Sequence, residues 1–385
     1  MIYLDHAAST PIADSVLEEM MPYFKENYGN PSSIHRYGRV ATKAIESARK
    51  RVAGLINSSP EEILFTSGGT ESNNTALYGI MTQNKDKQLI TTSIEHDAIL
   101  EPCKKLESLG YDVVYLSVDS AGMIDLAKLE STISEKTALV SVMLANNEVG
   151  TIQPIKEIAQ ICKKYGILLH TDAVQAVGKI PADVKDLGVD LMSISSHKIN
   201  GPKGVGALYI RNGIILDPFI LGGGQENGMR SGTESVANIV GFGKACQLAK
   251  ENLDNNNTTL ANLRNHLIQR VSSEISHVSV NGHARMRLPN NAHFTFLGVN
   301  GEDLIIKLDE HGIAASTGSA CSVKTQKASH VLMAMGFSHE KITGSLRLTV
   351  GVYNTKSEID QTVDALKQIV TELRAVSPFK AKYGF

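Results

Sequence analysis

Between about residues 60 and 250 the chain alternates short, apolar, β-branched runs with amphipathic stretches, and this alternation constrains its fold more than any other feature. The runs are ILFT, LITTSIEH, VVYLSV, ALVSVMLA, ILLHTDA, LMSISSH and VGALYI. They are too short and too uniformly apolar for strands with one wet face, and segments such as Ile155–Tyr165 between them carry helical spacing. Such a pattern predicts an α/β fold whose central sheet is mostly parallel and covered on both faces. A long helical stretch follows from about Val236 to Ile275, and the polar run DNNNTT is expected to interrupt it. Beyond it come HFTFLGV, a helix near Glu302–His311, SLRLTVG and a final helix near Ser357–Arg374, the mixed pattern of a smaller α+β domain.

At 385 residues the chain can hold two domains, and 42% hydrophobic with 20% charged residues is the composition of a globular protein rather than a disordered one. A formal charge of −2 disfavours nucleic acid as the main ligand. No apolar run reaches bilayer-spanning length, and MIYLDHAAST has none of the marks of a secretory signal, so a reducing cytoplasm is the expected compartment. Cys103, Cys162, Cys246 and Cys321 lie far apart, which argues against a zinc ribbon or a disulfide framework. The first three read as small buried hydrophobes. Neither a P-loop nor a dinucleotide-binding glycine turn is present; GPKGVG follows a lysine and precedes a strand, the wrong context for both.

Three elements carry chemistry when taken together. ILFTSGGTESNN runs from a strand through Gly68 and Gly69 into a helix, with Thr70 as N-cap or first-turn residue. Free N–H groups at such a junction bind anions, and glycine lets a phosphate approach the backbone. ILLHTDAVQA ends a strand on Asp172 and sets Gln175 three residues on, where α/β proteins bind ligands. LMSISSHKINGPKG groups Ser195, His197 and Lys198 at a strand end; Ser195 and His197 can donate to a phosphate, and a desolvated lysine is suited to Schiff-base chemistry. Alone, each has an ordinary reading: a capped turn, a capping Asp, a solvated lysine. Jointly they are the parts that pyridoxal phosphate requires, namely phosphate donors, a carboxylate for the ring nitrogen and a lysine for the aldehyde. His96 in TTSIEHDAI adds a flat ring at another strand end.

The chain resembles the cysteine desulfurases of the NifS/IscS group, within the fold-type I pyridoxal-phosphate enzymes. The matching motifs run in order: YLDHAAST, GNPSSIHRYG, FTSGGTESNN, SIEHDAI, LANNEVGTIQPI, HTDAVQAVGK, SISSHKINGPKGVGALY, GGGQENGMRSGTE, STGSACS and GSLRLTVG. The resemblance implies a large domain over 15–255 with a seven-stranded sheet, and a small domain of 1–14 and 256–385 that carries Cys321 and Arg347. It implies pyridoxal phosphate on Lys198, Asp172 at the pyridine nitrogen, His96 stacked on the ring, Gln175 at the ring hydroxyl and Asn147 near ring or substrate. Gly69, Thr70, Ser195 and His197 would hold the phosphate, together with Thr233 from the other subunit of a homodimer. Arg347 would clamp the substrate carboxylate, aided by Asn30. Cys321 would take the sulfur of L-cysteine as a persulfide, leaving L-alanine, and pass it to an acceptor protein for iron–sulfur cluster assembly, tRNA thiolation or DNA phosphorothioation.

Selenocysteine lyase or another lyase or aminotransferase of this fold is the alternative, against which STGSACS speaks; a non-enzymatic scaffold would not need Lys198, Asp172, His96 and Arg347 together. Three features depart from the group. Ser196 stands where glycine is usual and must face away from the cofactor, SVKTQKAS after Cys321 is unusually basic, and the last residues, KAKYGF, form no extended tail.

Overall fold

The computed structural model describes residues 1–318 and 328–385. Its strands, in chain order, are β1 (Ile2–Tyr3), β2 (Ile63–Thr66), β3 (Gln88–Thr92), β4 (Asp112–Leu116), β5 (Thr137–Ser141), β6 (Leu168–Asp172), β7 (Leu191–Ser195), β8 (Gly206–Ile210), β9 (Val278–Val280), β10 (Asn291–Phe296), β11 (Ile313–Ala314) and β12 (Ser345–Thr349). Strands β2 to β8 form one seven-stranded sheet in the order β2-β8-β7-β6-β5-β3-β4. Neighbours pair in parallel from β4 through β7, and β8 alone runs against both of its neighbours. The expected mostly parallel sheet is therefore present.

Alternation along each strand covers both faces of this sheet. Phe65, Ile90, Val140, Met192 and Ala207 enter one apolar cluster, while their chain neighbours Leu64, Leu89, Leu139, Leu191 and Leu208 enter a second cluster. The helix Ile155–Tyr165 shows why the intervening segments fold as they do. It buries Ile155, Ile158, Ala159 and Cys162, a single stripe at helical spacing, and Gly166 ends it in the left-handed conformation at φ 67°.

The helical stretch after residue 235 is broken at a different place from that expected. It divides into Val236–Glu251 and Leu253–Glu274, so the break falls at Asn252 and the polar run lies inside the second helix. Asp254 through Thr259 lie on its exposed to half-buried surface, and the stripe Leu260, Leu263, Leu267 and Val271 anchors the helix beyond them. Tertiary packing outweighs the weak helix propensity of Asn and Thr. That stripe belongs to a separate apolar cluster with Phe294, Phe296, Leu346, Leu348 and the helix Lys356–Ala375. Leu4 enters the same cluster, and β1 pairs with β11, so the first residues pack with the last third of the chain. Among the described residues, no helix is long and apolar enough to cross a membrane.

Candidate active site

The C-terminal ends of five strands that point the same way (β2, β3, β5, β6 and β7) converge on one cavity of about 250 Å³. β2 delivers Gly69 and Thr70, β3 delivers His96, β5 delivers Asn147, β6 delivers Asp172 and Gln175, and β7 delivers Ser195, His197 and Lys198; all of them line it. Open α/β sheets bind ligands at this edge because the loops that leave the strands diverge there.

The floor of the cavity is polar and held in place. Asp172 is buried; one carboxylate oxygen accepts the Val174 N–H at 2.9 Å, and the other accepts the Asn73 side-chain amide at 2.7 Å. Asn73 was not singled out in the sequence, since only the docking of the helix Gly69–Met81 brings it to Asp172. The Lys198 ammonium donates to the carbonyls of Ala7 at 2.5 Å and Ala8 at 2.8 Å. Gln175 donates its side-chain N–H to the same Ala7 carbonyl at 2.9 Å. His96 accepts the Ala98 N–H on Nδ1 at 3.0 Å, as the N-cap of the helix Asp97–Ser108, which leaves Nε2 to carry the proton. Burial holds the His96 imidazole below its ordinary pKa, against the pull of Asp172. Burial and then the cations Lys198, Lys203 and Lys179 lower His197 to about 4, so it is neutral at physiological pH. Lys179, another residue that sequence alone did not mark, is fully buried beside this wall; burial, then Lys198, lowers it to about 7.

At the opposite end the cavity adjoins a second space of about 320 Å³ across Gly69, Thr70, Ser195 and His197, with Gly68 and Lys203 beyond. Gly68 caps the helix Gly69–Met81 at φ 151°, open to glycine but strained for other residues, so Thr70 belongs to the first turn. The backbone is stripped of side chains there. A Cβ on Gly206 would come within 2.7 Å of Gly68 Cα, and one on Gly69 within 2.7 Å of Val174 Cγ2 and 3.7 Å of Ser195 Cβ.

Three of the predicted residues, Arg347, Thr233 and Asn30, do not line this cavity. Arg347 is buried one layer away: its Nη1 donates to the Asn147 carbonyl at 2.8 Å, its Nη2 pairs with Asp5 at 2.8 Å, and its Nε has no partner. Thr233 lines a separate space of about 160 Å³ with Glu226 and Arg230. Arg230 pairs through Nε with Glu71 in the first turn of the helix Gly69–Met81, at 2.8 Å, tying the Thr233 loop to that turn. Asn30 is exposed and caps its own turn by accepting the Ser32 N–H at 2.9 Å. Cys321 lies outside the described residues, with Lys324 and Lys327. Cys103, Cys162 and Cys246 are buried, and burial pushes their thiols up, away from the reactive thiolate. Ser196 faces away from the cavity: it is buried, and its unpartnered hydroxyl points at Gly201.

The family described as Aminotransferase class-V matches residues 2–362. The chain belongs to this family. A relative named cysteine desulfurase IscS, from Dictyoglomus turgidum, is 50% identical over 99% of this chain and 98% of its own. A solved NifS-like protein superposes with a TM-score of 0.91 at 40% identity, covering 96% of this chain and 99% of that one. A structure described as SspA in complex with cysteine gives 0.83 at 37% identity, covering 92% and 100%.

The cofactor of this class-V aminotransferase is pyridoxal phosphate, and the cavity fits it. Asp172 offers a fixed carboxylate, Asn147 presents a buried Oδ1 without a partner, Lys198 offers an amine, and the Gly68–Gly69 turn leaves room beside Ser195 that a Cβ would fill.

Proposed function

We propose that this class-V aminotransferase is a cysteine desulfurase that converts L-cysteine to L-alanine and holds the sulfur on Cys321 as a persulfide. One observation carries the reading: Lys198, Asp172 and His96 share one cavity, in a chain half identical to a cysteine desulfurase along nearly its whole length. Pyridoxal phosphate, when bound, supplies an electron sink for the substrate Cα and so labilises the Cβ–S bond. The residues do the rest. Asp172, fixed by Asn73 and Val174, would set its carboxylate at the ring-nitrogen position, and His96 and Gln175 wall the ring. Gly69, Thr70, Ser195 and neutral His197 receive the phosphate, with Thr233 supplied by the partner of a homodimer. Lys198 holds the cofactor, then moves the Cα proton. Arg347 binds the substrate carboxylate by exchanging Asp5 for it, and its partnerless Nε supports that exchange. The Cys321 thiolate forms the S–S bond as Cβ–S breaks; the electron pair ends on Cβ, which takes a proton to give alanine.

The same reading makes 15–255 one domain and 1–14 with 256–385 another, assigns the chain to the cytoplasm and makes an acceptor protein the final taker of sulfur. The separate apolar cluster of the last third supports the division. Purified protein should be yellow, and borohydride reduction followed by peptide mapping should place the cofactor on Lys198. An adduct on another lysine would overturn the assignment.

A further inference from the structure

Glu148 takes no part in the chemistry above, yet it is almost fully buried between Asn147 of the cofactor cavity and Ser329, which follows the segment that carries Cys321. It follows Asn147 of the cavity wall, and its backbone is fixed from two sides. Its N–H donates to Asn146 Oδ1 at 2.9 Å, and its carbonyl accepts the Asn291 side-chain amide at 2.9 Å. Its carboxylate is bound at Ser329, just beyond residues 319–327. On the far side, Ser329 donates its hydroxyl to Oε2 at 2.5 Å; the same hydroxyl accepts the Leu332 N–H and caps the helix His330–Ala334. On the near side, a Cβ added to Gly318 would lie 3.4 Å from Oε2, so the glycine leaves that oxygen its room. Arg347 closes the arrangement, since its Nη1 donates to the carbonyls of both Asn147 and Gly318, at 2.8 and 3.4 Å. Burying a carboxylate is costly unless it is hydrogen-bonded, and burial does raise this one, opposed by Ser329, His330 and Arg347. A buried acid in the loop of the active site that holds Ser329, beside an arginine that holds Gly318, is a device for fixing distance.

We propose that Glu148 is a positioning residue for sulfur transfer, tying the Asn147 wall of the cofactor cavity to Ser329, which follows the segment that carries Cys321. The inference rests on Cys321 as the sulfur acceptor. A displacement of about 1 Å at a reacting atom costs on the order of 100-fold in rate, so loosening these ties slows the attack of Cys321 on the substrate sulfur. Cofactor loading and capture of cysteine are spared, because the hydrogen bonds of Arg347 go to Asn147, Gly318 and Asp5 and none to the Glu148 side chain.

The test uses the holoenzyme and its Glu148→Ala, Glu148→Gln, Ser329→Ala and Cys321→Ala variants in single turnover with L-cysteine. The absorbance change of the cofactor reports cysteine capture, and mass spectrometry of the Cys321 peptide reports transfer. Glu148→Ala should slow persulfide formation about 10- to 100-fold while the absorbance change keeps its rate within about twofold. Glu148→Gln, which retains an acceptor for Ser329, should recover most of the loss, and Ser329→Ala should reproduce part of it. Should Glu148→Ala fail to fold, the Gln and Ser329 variants carry the same comparison. Wild-type transfer in Ser329→Ala and Glu148→Ala, or an equal fall in both readouts, overturns the inference. Undiminished sulfur release by Cys321→Ala instead overturns the desulfurase reading on which it rests.

Discussion

Glu95 shows how far a single buried group can bias this molecule. It precedes His96, has no exposed surface, and accepts from Thr92 at 2.6 Å and from the Met143 N–H at 3.0 Å, while its second oxygen has no partner. Burial raises its pKa to about 8. Between its unfolded value near 4.3 and about 8 the folded state therefore holds a proton that the unfolded chain has released, so its contribution to stability falls as pH rises through that window. Glu95→Gln should remove this slope and stabilise the protein most at the alkaline end, as urea titrations at several pH values would report. An unchanged pH dependence would contradict the protonated carboxyl. At this scale the sequence was legible where motif and strand end coincide, as at Asp172 and Lys198. It was silent where a partner lies far along the chain: Asn73 reaches Asp172 across 99 residues, and Asp5 reaches Arg347 across 342.

At the level of elements, the runs from ILFT to VGALYI became β2 through β8, since each is short, apolar and β-branched and each finds two covered faces. The break at Asn252 was not legible, because the polar residues that suggested it sit on an open helix surface where sequence pattern exerts little force. Close packing of β8 on the turn after β2 makes a sharper prediction. The nearest neighbours of a methyl at Gly206 would be backbone, the Ile194 carbonyl at 2.6 Å and Gly68 Cα at 2.7 Å. Gly206→Ala should cost about 1–3 kcal/mol of stability and weaken cofactor binding by displacing the anion-binding turn. Gly54→Ala, whose methyl meets only Lys250 Nζ at 3.7 Å within a helix, should be neutral or stabilising. Equal effects of the two on melting and on cofactor titration would contradict this account of the turn.

For the whole molecule, the proposed homodimer is the feature to test. Thr233 is exposed and outside the cofactor cavity, and Phe24, Tyr28, Ile34, Ile215 and Leu221 leave large apolar side chains in solvent. A homodimer that covers these surfaces and exchanges Thr233 accounts for both facts. Sedimentation should find a dimer at assay concentrations. Mixing Lys198→Ala with Thr233→Ala subunits should restore activity, because the heterodimer contains one site with both residues intact; an active monomer would contradict the exchange. The destination of the sulfur decides between a desulfurase and any other chemistry at this site. The most direct measurement is peptide mass spectrometry of the holoenzyme after a limiting addition of L-cysteine, with alanine counted in parallel. The account predicts one sulfur atom, removable by reductant, on the peptide containing Cys321 for each alanine released, and almost no alanine from Cys321→Ala. Alanine release at the wild-type rate from that variant, or sulfur appearing on Cys103, Cys162 or Cys246 instead, would contradict it.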